Sequence, residues 1–351
     1  MQETERLQDA IRGCLIGGAA GDALGYAIEF VDENYIFSKY GSRGITEYQI
    51  DPNTGKALIS DDTQMTLFTA AGLVNARDKG GSGDPGREVE LAYADWLVTQ
   101  QMGYAEAEKR IREGSLRPVT WLLAVPGLFA RRAPGITCLS ALQTLRPADD
   151  YIAQHRNNSK GCGGVMRVSP AAFCAPDAET AALLAAQIAA ITHGHPLGYL
   201  SAAALAYVIR RVVYDGRALR QSVLDGCVAL KKLFPGNEGT ATICGLMELA
   251  VELSENGAED LPNIHRLGEG WVGEEALAIA LYCCLRHEND FSACLISAVN
   301  HKGDSDSTGA IAGNILGAMH GYNALADQWK LDLELADVIL RSADSFCLLA
   351  K

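Results

Sequence analysis

Residues 177–207 read DAETAALLAAQIAAITHGHPLGYLSAAALAY, and this stretch decides the fold class. Pro176 ends whatever precedes it, and Asp177 offers a carboxylate to the first free N–H groups of a helix. Behind it Leu184, Ile188 and Ile191 recur at the spacing of one helix face. Pro196 then suits the first turn of a second helix, where it has no N–H to leave unsatisfied. Leu197, Leu200, Ala204 and Tyr207 form that helix's stripe. The same period predicts helices near 63–77, 88–101, 217–233, 240–254, 274–288, 291–300, 308–322 and 332–348. Strand signals are confined to Ile45–Ile50 and Ala57–Ile59, which Pro52-Asn53-Thr54-Gly55 could join as a hairpin. DKGGSGDPGR (78–87) reads as a flexible surface loop, because helical pattern resumes on both sides. The expectation is all-α: a single domain over residues 1–351, folded as one compact orthogonal helix bundle.

Composition narrows the function classes. Among 351 residues, 30 basic and 43 acidic side chains leave a net charge of −13. Nucleic acids and anionic membranes call for a basic surface, so neither is an expected partner. An anionic ligand held in a local pocket remains compatible. The 10 cysteines include no Cys-x-x-Cys pair, which argues against a zinc ribbon or a thioredoxin-like motif. They lie in apolar stretches, where cysteine acts as a small hydrophobe, and that usage fits a reducing compartment. MQETERLQDA has no basic n-region or apolar h-region, and no apolar run looks long enough to span a bilayer. A soluble, cytoplasmic protein is expected.

Two glycine rows stand out. Gly13, Gly17, Gly21 and Gly25 are each four apart, as are Gly309, Gly313, Gly317 and Gly321. Glycine inside a helix costs ~0.5–1 kcal/mol relative to alanine, so the rows call for a compensating gain. Residues four apart share a helix face, and a glycine face lets another backbone approach closely. Two tightly packed central helices are expected.

Both rows adjoin acidic motifs. Ser60-Asp61-Asp62-Thr63 opens one predicted helix, and Gly303-Asp304-Ser305-Asp306-Ser307-Thr308 precedes another. Either could be a helix cap, since Ser and Asp accept the orphan N–H groups and acids favour the positive helix end. A cap needs one acid, however, and each motif carries two beside hydroxyls. Clustered carboxylates repel unless a cation neutralises them, and hard ions such as Mg²⁺ or Mn²⁺ choose carboxylate, hydroxyl and water oxygens. If the motifs converge, four carboxylates and two hydroxyls could hold two divalent cations where helix N-termini meet.

Three further features are candidates. Asn158, Ser159, Lys160, Gly161, Cys162, Gly163 and Gly164 form a polar, glycine-rich loop whose N–H groups could cradle phosphate oxygens. It is neither a Walker A motif nor a dinucleotide fingerprint. In Thr192-His193-Gly194-His195-Pro196, no third ligand sits at a distance that suggests zinc, so His193 reads as a residue holding a ligand or a loop. Asp22, inside an apolar glycine-striped segment, must be hydrogen-bonded to the loops around the site or lie near the metal. Glu29, which follows, is a candidate water-positioning base.

The ordered set GCLIGGAAGDALG, SDDTQMTLFTA, NNSKGCGGVMRVSP, THGHPLGYLSAAALA and GDSDSTGAIAGNILGAMHG closely resembles the ADP-ribosylglycohydrolase family from about residue 10 to 322. The resemblance implies an all-α hydrolase with two Mg²⁺ or Mn²⁺ ions that removes ADP-ribose from modified proteins. It implies metal-ligand roles for Ser60, Asp61, Asp62, Asp304, Asp306 and Ser307, and an ADP-ribose site along Asn158 to Gly164 with His193 nearby. Serine at positions 60 and 307 resembles the ADP-ribosylarginine hydrolase branch, where other branches often carry threonine. Implied partners are an ADP-ribosylated protein and ADP-ribose. The implied reaction is hydrolysis of the N-glycosidic bond to arginine, reversing a regulatory modification or a toxin's, with Asp61 or Asp62 handling the proton. The alternatives are hydrolysis of O-linked or free ADP-ribose derivatives, and a binding protein that sequesters an ADP-ribosyltransferase.

Overall fold

The computed structural model describes residues 3–144 and 146–347. Among these the chain forms sixteen α-helices, several short 3-10 turns and one pair of two-residue strands. The architecture is all-α. A hydrophobic core cluster draws on residues from Ala10 to Phe346.

The deciding stretch folds as its residues dictate. Asp177 caps the helix Ala178–Ala190, its Oδ1 accepting from the Thr180 N–H at 2.7 Å. Pro196 opens the helix Pro196–Asp215, and His195 caps it through Nδ1. That second helix is buried almost all round, including Leu197, Leu200, Ala204 and Tyr207. By length and composition alone it could cross a membrane, contrary to the expectation that no apolar run would suffice. Its apolar window is 78% buried inside the protein, as a core helix should be.

The glycine rows meet each other. Helices Glu3–Tyr26 and Ser305–His320 run antiparallel, with Gly13 against Gly317, Gly17 against Gly313, Gly21 against Gly309 and Gly25 against Ser305. A β-carbon at any of these glycines would overlap the facing carbonyl. Gly321 departs from the predicted row: it sits just past the helix at φ +81°, a left-handed conformation that stops the helix at His320. The consequence is positional. The C-terminal end of the first helix, with Asp22 and the turn carrying Glu29, lies at the N-terminus of the helix that begins at Ser305.

Several boundaries differ from expectation for local reasons. The hairpin shrinks to Ile50–Asp51 paired with Lys56–Ala57; at its outer ends the Ile45 N–H goes to Asn300 at 2.8 Å and the Ile59 N–H to Glu334 at 3.1 Å. The predicted 63–77 and 308–322 helices begin earlier, at Asp61 and Ser305, which moves the acids into first turns. Helix Ala336–Cys347 starts late, after Leu335 at φ +56°, and residue 348 of the predicted span lies outside the described residues. Most of the 78–87 loop is ordered into the end of one helix, the 3-10 turn Gly80–Ser82 and the Asp84 cap of helix Pro85–Gln101. Cys174 is exposed rather than packed.

Candidate active site

Both acidic motifs are helix caps, and each brings more carboxylate oxygens than its cap needs. Ser60 caps helix Asp61–Asp78, its Oγ accepting from the Asp62 N–H at 3.2 Å. Asp304 caps helix Ser305–His320 by accepting from the Ser307 N–H. The same N–H lies closer to Asp306 Oδ1, at 2.9 Å, than to Asp304 Oδ1, at 3.4 Å. Asp61 and Asp62 in one first turn, and Asp306 in the other, face a shared cavity, which Asp304, Ser307 and Glu29 also line. Residues some 240 apart in sequence thus converge through two helix starts.

Asp22 fixes one side of this arrangement. Its carboxylate accepts from the Ser60 N–H at 2.9 Å, the Thr63 N–H at 3.1 Å and the Thr63 hydroxyl at 2.5 Å. It is a buttress tying the first helix to the start of the Asp61 helix. Asp61 is held by the Gly135 N–H at 3.2 Å. Glu29 arrives on a turn that ends at Phe30, whose φ of +62° reverses the chain.

Electrostatically the site is under-compensated. Asp22, Asp61, Asp62, Asp304 and Asp306 are all nearly or wholly buried. Burial pushes Asp61, Asp62 and Asp304 well above the usual carboxylate range, and the charge of Asp306 adds to each. The same two causes raise Asp22 to about 7 and Glu29 to about 10. Carboxylate oxygens of Glu29, Asp304 and Asp306 come within 4.8 Å of one another. Asp62 Oδ2 and Glu29 Oε2 are buried with no hydrogen-bond partner. Orphaned buried carboxylate oxygens in an all-oxygen donor set fit hard divalent cations.

Of the glycine-rich loop, Gly161, Cys162 and Gly163 line the cavity, as does His193. Asn158 is exposed, the Ser159 hydroxyl pairs with Thr137, and Gly164 packs beneath Gly198. The Lys160 ammonium pairs with Glu274 and lines a neighbouring cavity. The loop is knotted by Asn157, whose Oδ1 accepts from the Ser159 and Gly194 N–H groups at 3.0 and 3.1 Å. Ser60, whose hydroxyl caps its helix, is fully buried.

Residues that sequence reading did not single out complete the wall. Gly135, Thr137 and Cys138 face the acids, and Phe30, Ile136 and Trp271 frame the mouth. Phe30 and Trp271 stack with ring centroids 5.4 Å apart, and Ile136 is 85% exposed. Pro134-Gly135 signals a turn. Nothing in the local pattern of these residues says that they meet.

The site can be set beside known proteins. A profile of the ADP-ribosylglycohydrolase family matches residues 3–351. The chain belongs to the ADP-ribosylglycohydrolase family. It is 26% identical to the ADP-ribosyl-dinitrogen reductase glycohydrolase of Rhodospirillum rubrum, over 98% of this chain and 97% of that one. It is 25% identical to the uncharacterized protein YegU of Escherichia coli K12, covering 95% and 92%. It is 24% identical to human ADP-ribosylhydrolase ARH3, covering 92% and 88%. A solved ADP-ribosylglycohydrolase-related protein complex superposes with a TM-score of 0.63 at 22% identity, over 97% of this chain and 98% of that one, which shows the shared fold. Members of the family are glycohydrolases that act on ADP-ribosylated substrates and depend on divalent metal. The acid-lined cavity supplies the donor chemistry such a dependence needs.

Proposed function

We propose that the chain hydrolyses the N-glycosidic bond between ADP-ribose and an arginine side chain of a modified protein. The observation that carries this reading is the convergence of Glu29, Asp61, Asp62, Asp304 and Asp306 on one cavity. Cleavage builds positive charge at the anomeric carbon, and a carboxylate-lined wall opposes that charge. The guanidinium of an ADP-ribosylated arginine is also cationic, and the chain's net charge of −13 attracts it. Serine at positions 60 and 307 supports the arginine branch, and the similarity to a relative named for dinitrogen reductase supports a protein-linked substrate.

Asp61, Asp62, Asp304 and Asp306, with Ser307 and the Ser60 hydroxyl, are the residues that would hold two divalent cations, Mg²⁺ or Mn²⁺. Bound there, such ions supply Lewis-acid polarisation of ribose and water oxygens. Asp62 Oδ2, buried and unpartnered, is placed to take the proton of the attacking water. Asp61 is held by Gly135 and orients the neighbouring oxygens. Glu29 Oε2, also unpartnered and beside Asp304 and Asp306, positions water. The cavity measures ≈ 260 Å³ and shares Trp271 with a neighbour of ≈ 760 Å³. The first suits the reacting ribose alone, given the ~300–1,000 Å³ typical of small-molecule sites, and the second has room for the remainder of ADP-ribose.

A second reading, hydrolysis of O-linked or free ADP-ribose derivatives, is favoured by the apolar mouth of Phe30, Ile136 and Trp271, which asks for no charge on the leaving group. The test is incubation with arginine-ADP-ribosylated protein, with and without Mg²⁺, followed by detection of released ADP-ribose. Release that requires the cation supports the arginine reading. No release from arginine, with release from a serine-linked substrate, selects the second reading.

A further inference from the structure

We propose that Arg167 and Thr192 are positioning residues that hold His193 as a hydrogen-bond donor, its Nε2–H aimed into the acid-lined cavity at an oxygen of the bound ligand. The inference rests on reading that cavity as the ligand site.

Arg167 follows the 3-10 turn Cys162–Gly164 and is 0% exposed. Its Nη2 donates to the Thr192 hydroxyl at 2.6 Å and more weakly to the Ile188 carbonyl at 3.4 Å. Nη1 faces the Cys138 and Met65 sulfurs at 3.4 and 3.5 Å, and the guanidinium lies 4.6 Å from the Tyr93 ring centre. Nε has no partner. These neighbours are a hydroxyl, a carbonyl, two sulfurs and an aromatic face, with no carboxylate among them. A buried charge without a counter-ion is costly, and filling the core does not require one. Its short, well-made contact is the one to Thr192.

That contact has a directional consequence. A guanidinium only donates, so Thr192 Oγ1 accepts from it, and the hydroxyl has one hydrogen left to give. His193 Nδ1 lies 2.8 Å from Oγ1. The other acceptor near this hydroxyl is the Cys138 sulfur, and sulfur accepts weakly. With Nδ1 accepting, the ring hydrogen of a neutral imidazole must sit on Nε2. Burial, reinforced by the charge of Arg167, lowers His193 to about 3 and keeps the ring neutral. Nε2 lies beside two glycines that line the cavity with it, 3.3 and 3.2 Å from where β-carbons on Gly161 and Gly163 would stand, so those glycines keep its face to the cavity open. A neutral donor suits a hydroxyl or phosphate oxygen without adding charge beside cations. The chain Arg167–Thr192–His193 thus selects the tautomer because the hydroxyl's single hydrogen has a better acceptor in the imidazole nitrogen than in the Cys138 sulfur.

The test uses full-length protein labelled with ¹⁵N-histidine, in Mg²⁺, with the His193 resonances identified by their loss in His193→Gln. The expected spectrum shows a pyridine-like Nδ1 and a protonated Nε2. Thr192→Val removes the donor to Nδ1; it should give a mixture of tautomers and weaken ADP-ribose binding about tenfold, the loss of one well-placed hydrogen bond. Thr192→Ser should restore both. Because removing Arg167 could unfold the chain, the Thr192 pair carries the test, and serine rescue separates positioning from packing. A protonated Nδ1 in the wild type, or a wild-type tautomer in Thr192→Val, overturns the proposal. If the wild type binds no ADP-ribose in calorimetry, the reading of the cavity fails, while the tautomer measurement still decides the relay.

Discussion

Gly25 lies against Ser305 so closely that a β-carbon on the glycine would overlap the serine carbonyl and the Asp306 amide. This contact is the last rung of the antiparallel ladder that begins where Gly13 meets Gly317. It sits four residues before Glu29 and one before Asp306, so the depth of the helix seam sets how far apart those two carboxylates stand. The glycines are therefore part of the site's geometry although none of them touches it.

Gly21→Ala should destabilise the protein by about 1–3 kcal/mol, the range for overpacking a tight core, because the new methyl would meet the Gly309 carbonyl. Gly245→Ala is the control. It lies exposed in helix Gly239–Leu253 with nothing within 4 Å of an added β-carbon, and should raise stability by about 0.5–1 kcal/mol. Chemical denaturation of both variants checks the pair, and equal effects would refute the seam argument.

How much of this was legible beforehand depends on the range of the interaction. The Asp177 cap, the Pro196 helix start and the glycine spacing are local, and the chain follows them. The acidic motifs were legible as surplus acids at helix starts for the same reason. That the two glycine rows face each other is not local, since either could have met a third helix. The cavity wall at Gly135–Cys138 and the Phe30–Trp271 stack depend wholly on tertiary approach, and neither has a motif of its own. The sequence presents residues 158–164 as one polar, glycine-rich loop and does not separate their roles. Lys160 pairs with Glu274 and Asn157 ties the knot, a choice that only long-range partners could make.

Asp61→Asn and Asp304→Asn should each reduce turnover by more than about 100-fold, exceeding the ~10–100-fold typical of groups that merely support a metal ligand. Stability should change little, because Asn at position 304 can still cap the helix and Asn at position 61 keeps the volume. Initial rates at saturating Mg²⁺, with circular dichroism as the fold check, test this. Wild-type rates in either variant would dissolve the proposed two-motif site.

The acid cluster makes stability depend on pH in a definite direction. Asp22 rises from 3.8 to about 7 and Glu29 from 4.5 to about 10, through burial first and the charge of Asp306 second. Between those values the folded chain binds more protons than the unfolded chain, so stability falls as pH rises. In EDTA, Tm should decline from pH 5 to pH 8. Divalent cations need deprotonated carboxylates, so the gain in Tm from Mg²⁺ should be larger at pH 8 than at pH 5. Thermal scans at both pH values decide it; an equal gain would mean that the cation binds elsewhere.

The choice of linkage separates the two functional readings. A guanidinium attached to a sugar keeps positive character, and the chain carries a net charge of −13. That field should favour arginine-linked ADP-ribose over serine-linked, whose ether oxygen is neutral and gains nothing from it. The expected ratio of kcat/KM is about tenfold, equivalent to ~1.4 kcal/mol in the barrier. The Debye length falls from ~30 Å at 0.01 M salt to ~8 Å at 0.15 M, so the advantage should shrink over that interval if it arises from long-range attraction. The measurement compares two peptides that differ only in the linked residue, at both salt concentrations. Faster release from serine would overturn the arginine reading while leaving the acid site intact. A salt-independent preference for arginine would place the discrimination in short-range contacts at the mouth.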